Sequence, residues 1–417
     1  MKKKVVLNKS KLIKIFLLFL FMSFPRIVAA LEYPDIDSKV VEIYDLTDNK
    51  IIYEIDSKKQ SAIASLTKIV TTITAIENID NLDESVDITN EILSTVRWDA
   101  SRAGLKVGDK VTYRDLLYAS MIPSGSDATN SLAILSSGSI KNFVGKMNKL
   151  VSKVGAENTH FENVTGLDEE GHYSTADDIR KILEYALGNK TFKEIYMAHE
   201  YTLSNGLIVR STINKYNNNG LINTTNILGS KTGFTKDAGY CLSSLSNINS
   251  HDFIIIVLNA DHKENKYYNV VDTVSLIDFL LDNYKKEYLV KKGDLVKTIP
   301  VTLSNIDNYK VYASKNITKF SPSDYNNDKL KIKYKGPEKI SFRNKIGEKI
   351  GKISYYYDDE LISSESVIIN TKIKLNIKKV VRKYFYLIIA LFITLILVTV
   401  KKILSKKKKR RRKYDRK

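Results

Sequence analysis

Apolar and polar positions change period several times along the chain, and each change marks a different element. Val40-Val41-Glu42-Ile43-Tyr44 and Ile51-Ile52-Tyr53-Glu54-Ile55 flank an Asp48-Asn49 turn and read as a β-hairpin. Leu66, Ile69, Val70, Ile73 and Ile76 then recur every three or four residues, which predicts an amphipathic helix beginning at Ser65 with its apolar stripe buried. Helical spacing returns over residues 113–120, 127–135, 140–154 and 176–187. Strand patterns follow at 200–203, 239–246 and 253–258, and a helix over 274–284 closes a mixed α/β block spanning 31–285. From 286 to 371 the chain alternates Val, Ile and Tyr with Lys, the period of a small all-β domain. No repeat of fixed period is evident.

The two ends carry apolar runs of another kind. Residues 1–30 combine a basic stretch from Lys2 to Lys14, an apolar run over 15–22 and Val28-Ala29-Ala30, the order of a signal peptide whose last residue is Ala30. Tyr384 to Val400 is a run of 17 uncharged residues, about 25 Å as a helix, the short end of a transmembrane span. A juxtamembrane linker, 372–383, with six Lys/Arg precedes it, and the tail 401–417 follows with twelve Lys/Arg and Asp415 alone as acid. That asymmetry puts the tail in the cytoplasm and the body on the extracellular side of a single-pass membrane protein.

Charge sharpens this division. The 417 residues hold 66 Lys+Arg and 47 Asp+Glu, a formal +19, of which residues 1–30 carry +7 and 401–417 carry +11. Residues 31–400 are therefore expected to be nearly neutral, and nucleic acid is not expected as a partner: stop-transfer and anionic headgroups account for the basic tail. With 43% hydrophobic and 10% aromatic residues the chain is not disordered, and six prolines are too few for a rigid stalk. The single cysteine, Cys241, precludes an intrachain disulfide, and five dispersed His give no metal signature.

Three segments carry candidate chemistry. In Ser65-Leu66-Thr67-Lys68 a helix places residues three apart on one face, so the Lys68 amine can serve as base to the Ser65 hydroxyl once desolvation lowers its pKa. The same spacing at Ser405–Lys408 shows how little it means alone, where an N-capping Ser beside a surface Lys is the simpler reading. Lys231-Thr232-Gly233, followed by Phe234, can bind a carboxylate on a strand, with Gly233 admitting the substrate to the backbone; in isolation it reads as a surface hairpin. Pro123-Ser124-Gly125-Ser126-Asp127 is a turn entering a helix, which either caps it or presents Ser124 as a proton relay.

Together, in this order, the three resemble the penicillin-binding proteins and serine β-lactamases, with S-x-x-K, S-x-N and K-T-G motifs. The chain is similar above all to the low-molecular-mass D-alanyl-D-alanine carboxypeptidases. The likeness extends to Leu105-Lys106-Val107-Gly108-Asp109, Asn163-Val164-Thr165-Gly166-Leu167-Asp168 and His172-Tyr173-Ser174-Thr175-Ala176, and covers roughly residues 36–370. It implies an α/β (α+β) penicillin-binding-protein/serine β-lactamase-like catalytic domain, then a small all-β domain and the transmembrane helix. It also implies that Ser65 is acylated, Lys68 is its base and Ser124 relays protons. Lys231 and Thr232, with Gly233, would hold the terminal carboxylate, and the N–H groups of Ser65 and Phe234 would form the oxyanion hole. The implied reaction removes the last D-alanine from peptidoglycan pentapeptides, with β-lactams as covalent inhibitors and no metal or cofactor.

Two departures stand out. Ser126 occupies the position where the family usually has Asn, so a shorter hydroxyl replaces an amide toward the substrate, and the only S-x-N, Ser314-Lys315-Asn316, lies in the β domain. The anchor, too, is an apolar span in place of the amphipathic helix common in the family. A serine β-lactamase is the rival enzyme, disfavoured because Glu200-Tyr201-Thr202-Leu203-Ser204-Asn205 has Ser204 where a deacylating motif needs Asn and fits a strand better. A non-catalytic wall-binding protein is the rival from another class, with Ser126 as its only support. His160, His172 and His251 are too scattered for a triad, and His172 reads as a turn or packing residue. Trp98 either borders a groove or, the favoured reading, is a partly buried loop aromatic.

Overall fold

The computed structural model describes residues 31–214, 222–261, 267–322 and 329–414; the signal segment 1–30 lies outside them. Its centre is an antiparallel sheet in the order β2-β1-β9-β8-β7: β1 (Val40–Asp45), β2 (Lys50–Ile55), β7 (Ile227–Thr235), β8 (Gly239–Ile248) and β9 (His251–Ala260). β1 and most of β9 are buried on both faces, which is why they read as continuous apolar runs without alternation. Side chains of β9 divide by parity: Ile254, Ile256 and Leu258 enter the core beneath the helices, whereas Phe253, Ile255 and Val257 face a second cluster.

The first core gathers α1 (Thr67–Asn78), α2 (Asn90–Ser94), α3 (Tyr113–Met121), α4 (Ser126–Ser137), α5 (Ile140–Val154), α6 (Ala176–Leu187) and α7 (Lys190–Tyr196). The expected amphipathic character of α1 is corrected: every residue from Thr67 to Ala75 is buried, so it is the central helix of the domain. Two of its threonines bond to backbone carbonyls, Thr67 Oγ1 donating to Ala64 at 2.9 Å and Thr71 Oγ1 to Val164 at 2.7 Å. Two short antiparallel pairs border the helices: β3 (Ser85–Asp87) with β4 (Lys110–Thr112), and the hairpin of β5 (Glu200–Thr202) with β6 (Ile208–Arg210).

On the other sheet face lies α8 (Tyr268–Asn283), which begins six residues before the position that periodicity suggested. Asn283 ends the helix, and Tyr284 starts the β domain. Its strands are β10 (Tyr284–Val290), β11 (Leu295–Thr302), β12 (Asn308–Tyr312), β13 (Ile317–Pro322), β14 (Leu330–Lys335), β15 (Ile340–Ser341), β16 (Lys349–Tyr357) and β17 (Glu360–Ile368), in three small sheets around Ile299, Tyr309, Ile353, Tyr355 and Val367. Phe320 of β13 joins the second cluster, stacked on Tyr284 at 5.2 Å and 5.0 Å from Phe253. Buried His251 contacts Asp45 there, with Nδ1 3.0 Å from Oδ2, a role at the junction of the two domains. Residues 377–414 form one helix, α9 (Ile377–Tyr414), whose stretch Ile377–Lys407 is long and apolar enough to cross a membrane and has no buried share in its apolar window.

Candidate active site

Ser65 sits in a 3₁₀ turn, Ala64–Leu66, that precedes α1. Lys68 is in the first turn of α1 and 1% exposed, with Nζ 3.0 Å from Ser65 Oγ and donating to the Thr165 carbonyl at 2.9 Å. Burial pushes its pKa down from 10.5 to about 7, and the Asp127 carboxylate offsets part of that fall. A lysine so placed is substantially neutral at physiological pH and can take the serine proton.

The loop from 162 to 173 supports this pair. Asn163 Oδ1 accepts from Thr165 N (3.1 Å), Thr165 Oγ1 (3.2 Å) and Gly166 N (2.8 Å), while Nδ2 donates to the Leu167 carbonyl and Glu169 Oε2, both at 2.9 Å. That tight turn aims the Thr165 carbonyl at Lys68. Gly166, at φ +84°, lies against the nucleophile turn so closely that a Cβ would come within 1.8 Å of the Ala64 carbonyl oxygen. His172 is buried and its pKa is lowered to about 4, chiefly by desolvation. Its Nδ1 accepts from Glu162 N at 3.2 Å, so Nε2 carries the proton and donates to Thr67 Oγ1 (2.9 Å), which in turn donates to the Ala64 carbonyl (2.9 Å). Ala64 itself is held at φ +47°, strain next to Ser65 that this chain of bonds maintains.

The middle motif is built from α3, α4 and the 101–105 loop. Ser124 adopts φ +64° and is buried, and its Oγ has no hydrogen-bond partner among the described residues. A buried hydroxyl left so is free to take a hydrogen bond from a bound molecule or water. Gly125 is required because a Cβ there would lie 2.6 Å from Ala103 Cβ and 2.7 Å from the Ala119 carbonyl. Asp127 fixes the crossing loop by accepting from the N–H groups of Ala103, Gly104 and Leu105 at 2.8–3.0 Å. Ser126 heads α4 and borders a cavity of about 120 Å³ with Asn130, Arg97, Asn163 and Thr165. The shorter side chain thus leaves room beside the carbonyl that holds Lys68.

Lys231, Thr232, Gly233 and Phe234 lie on β7, which pairs on one side with β8 and is the edge of the sheet. Lys231 is 1% exposed, with Nζ donating to the Thr232 carbonyl at 2.8 Å; burial, and then the charge of Lys68, hold its pKa well below the ordinary value. Thr232 Oγ1 is 2.6 Å from Thr212 Oγ1. Gly233 faces the nucleophile turn, where a Cβ would stand 3.0 Å from Ser65 N. β7 and the Ser65 turn are therefore in direct contact, and the two lysines are close enough to feel each other's charge.

Several supports were not assigned roles from sequence: Asn163, Thr165, Gly166, Asp127 and Thr212; His172, read there as a turn or packing residue, is buried and bonded to Thr67. The Asn-x-Thr-Gly spacing at 163–166 is the one local signal that could have revealed the turn. Trp98 is corrected: it is 91% exposed, on the segment whose Val96, Arg97 and Ala100 border the Ser126 cavity. Glu200 is paired with Arg210 at 2.6 Å on the β5–β6 hairpin and does not act as a deacylating base.

Residues 27–262 match the peptidase S11 family model, D-alanyl-D-alanine carboxypeptidase, and residues 284–380 match the model of the penicillin-binding protein 5 C-terminal domain. The D-alanyl-D-alanine carboxypeptidase DacF of Bacillus subtilis is 28% identical over 344 residues, 79% of this chain and 84% of that protein. A D-alanyl-D-alanine carboxypeptidase of Streptomyces sp. K15 is 38% identical over 191 residues, 43% of this chain and 65% of the relative. Penicillin-binding protein 5 from Haemophilus influenzae shares the fold at a TM-score of 0.62 and 24% identity, covering 83% of this chain and all of that one. A family match over more than half of the chain, on a fold with Ser65 beside buried Lys68 against the edge strand, identifies this chain as belonging to the D-alanyl-D-alanine carboxypeptidases of peptidase family S11.

Proposed function

We propose that the protein is a serine D,D-carboxypeptidase of the cell wall that cuts through an acyl-enzyme on Ser65. The observation that carries the reading is Lys68: fully buried, 3.0 Å from Ser65 Oγ and with its pKa lowered to about 7. The neutral amine takes the Ser65 proton as Oγ bonds to the carbonyl carbon of the penultimate D-alanine. The N–H groups of Ser65 and Phe234 receive the developing oxyanion. Collapse breaks the C–N bond, the proton passes from Lys68 by way of Ser124 to the leaving amine, and D-alanine departs. Water then attacks the ester by the reverse proton path.

Lys231 and Thr232 bind the terminal carboxylate. Among the described residues Lys231 Nζ donates to the Thr232 carbonyl and has the like charge of Lys68 nearby, so an arriving carboxylate supplies a counter-ion and draws a proton onto it. Ser126 faces the acyl side with a hydroxyl, and the cavity beside it gives the substrate more room than an amide would leave. A β-lactam, which carries a carboxylate beside a strained amide, enters the same path and stops at the ester.

In domain terms, residues 1–30 export the chain, 31–285 hold the chemistry and 286–371 form the β domain. The helix that includes 384–400 anchors the protein, with the catalytic body outside and the basic tail in the cytoplasm. The test uses the detergent-solubilised full chain with a labelled penicillin and a diacylated Lys-D-Ala-D-Ala peptide, beside Ser65→Ala. D-alanine release and labelling confined to the wild type are expected. Release that persists in Ser65→Ala would remove the nucleophile assignment, and labelling without release would favour a wall-binding protein. Protease added to intact cells should digest the body; a protected body overturns the orientation.

A further inference from the structure

The near-neutrality of residues 31–400 is a cancellation. Residues 31–283 hold 35 Asp/Glu against 24 Lys/Arg, a net −11, and residues 284–376 hold 19 Lys/Arg against 11 Asp/Glu, a net +8. The catalytic domain is acidic and the β domain basic.

Part of the basic surplus gathers at the end of the β domain that leads into α9. The turn before β16 is tied to the strand running toward the helix: Gly347 N–H donates to the Ile369 carbonyl at 2.8 Å, and Ile369 N–H to the Glu348 carbonyl at 2.9 Å. A few residues on, Asn305 N–H donates to the Lys374 carbonyl at 2.9 Å, and Leu375 bridges to Ser304. This end presents Ile346 at 61%, Ile368 at 50% and Leu375 at 45% exposure. Arg343, Lys345 and Lys349 lie along the same turn, and Lys372 and Lys374 on the approach to α9. The nearby carboxylates are engaged: Glu348 accepts from Asn344 and Lys345 N, and Asp307 pairs with Lys379 at 2.5 Å.

Exposed aliphatics among basic side chains, contiguous with an apolar helix, have the composition of a lipid–water interface. A soluble polyanion would engage the lysines and leave the aliphatics in water. We propose that this end of the β domain docks on anionic lipid headgroups at the foot of α9. The basic β domain is then the part of the body drawn to the bilayer. The proposal rests on the reading of α9 as a span.

The test is hydrogen exchange of the full chain in nanodiscs of phosphatidylcholine alone and with 30% phosphatidylglycerol, for wild type and the triple variant Arg343→Glu, Lys345→Glu, Lys349→Glu. Amides of residues 343–349 and 368–376 should exchange about five-fold more slowly or better over phosphatidylglycerol, the scale of one lysine at an anionic surface. The difference should vanish in 0.5 M NaCl and in the triple variant, whose release of D-alanine from soluble peptide should stay at the wild-type level and so report an intact fold. Equal exchange over both lipids overturns the proposal, as does protection by added polyphosphate with no response to phosphatidylglycerol. A chain that does not stay with the nanodisc fails earlier, at the span, and takes the proposal with it.

Discussion

Acylation of Ser65 should follow the titration of Lys68, with an acid limb centred near pH 7. An ordinary lysine, with a pKa of 10.5, would be neutral in about one molecule in 3,000 at pH 7, whereas one at about 7 is neutral in half. Burial therefore raises the share of neutral base about 1,500-fold, a gain partly offset by the weaker basicity of an amine whose pKa is lowered. The sign is fixed by the cause: desolvation disfavours the ammonium, so the base is lost by protonation as pH falls. Below pH 7 the rate should drop ten-fold per unit and be about 50-fold lower at pH 5 than at pH 7. The measurement is the second-order rate constant for labelling by a fluorescent penicillin, from pH 5 to 10 at constant ionic strength. Removing the nearby charge with Asp127→Asn should move the limb to lower pH, because Asp127 raises the Lys68 pKa. A rate independent of pH between 5 and 8, or one that rises only above pH 9, would refute the reasoning.

Lys68→Met should abolish labelling yet raise the unfolding free energy at pH 7 by about 1–3 kcal/mol in denaturant titrations, because a buried amine that must shed its proton opposes folding below pH 10.5. His172, lowered from 6.5 to about 4, should make stability fall as pH drops through that window, by about 3 kcal/mol at pH 4, because the unfolded chain takes the proton first. His172→Gln should flatten that part of the melting-temperature profile. Gly166→Ala should cost about 3 kcal/mol or more, by urea unfolding, and lose penicillin labelling, since its Cβ would overlap the Ala64 carbonyl at positive φ. Ser126→Asn, with a cavity of about 120 Å³ to enter, should fold normally and speed acylation by peptide about ten-fold, one hydrogen bond's worth in kcat/KM.

Helices over 140–154 and 176–187 were legible end to end because each is a surface helix with one apolar face, a Ser or Thr N-cap and little else to decide. α1 was legible as a helix but not as a central one, since Thr67, Thr71, Thr72 and Thr74 leave the sequence looking half polar although every residue from Thr67 to Ala75 is buried. The short helices 90–94 and 190–196 carry too few turns for a period to emerge. Trp98 misled for the opposite reason: a large aromatic favours burial in general, and nothing local says that its loop holds it in water.

What the sequence by itself determined is the inventory: an S-x-x-K spacing that any helix start converts into neighbours, the K-T-G segment, an apolar helix with basic flanks, and a charge that sums to +19. Those follow from local geometry and from counting. Only the tertiary structure decided that Lys68 is dry, since its desolvation comes from packing and its anchor, the Thr165 carbonyl, lies 97 residues away on a turn shaped by Asn163. It likewise set Gly233 against Ser65 N and His172 under Thr67, and it joined the 343–348 turn to the approach of α9. The reason is physical: spacing sets which residues share a turn, whereas the dielectric around a charge and the partner of a hydroxyl depend on chain that returns from far away.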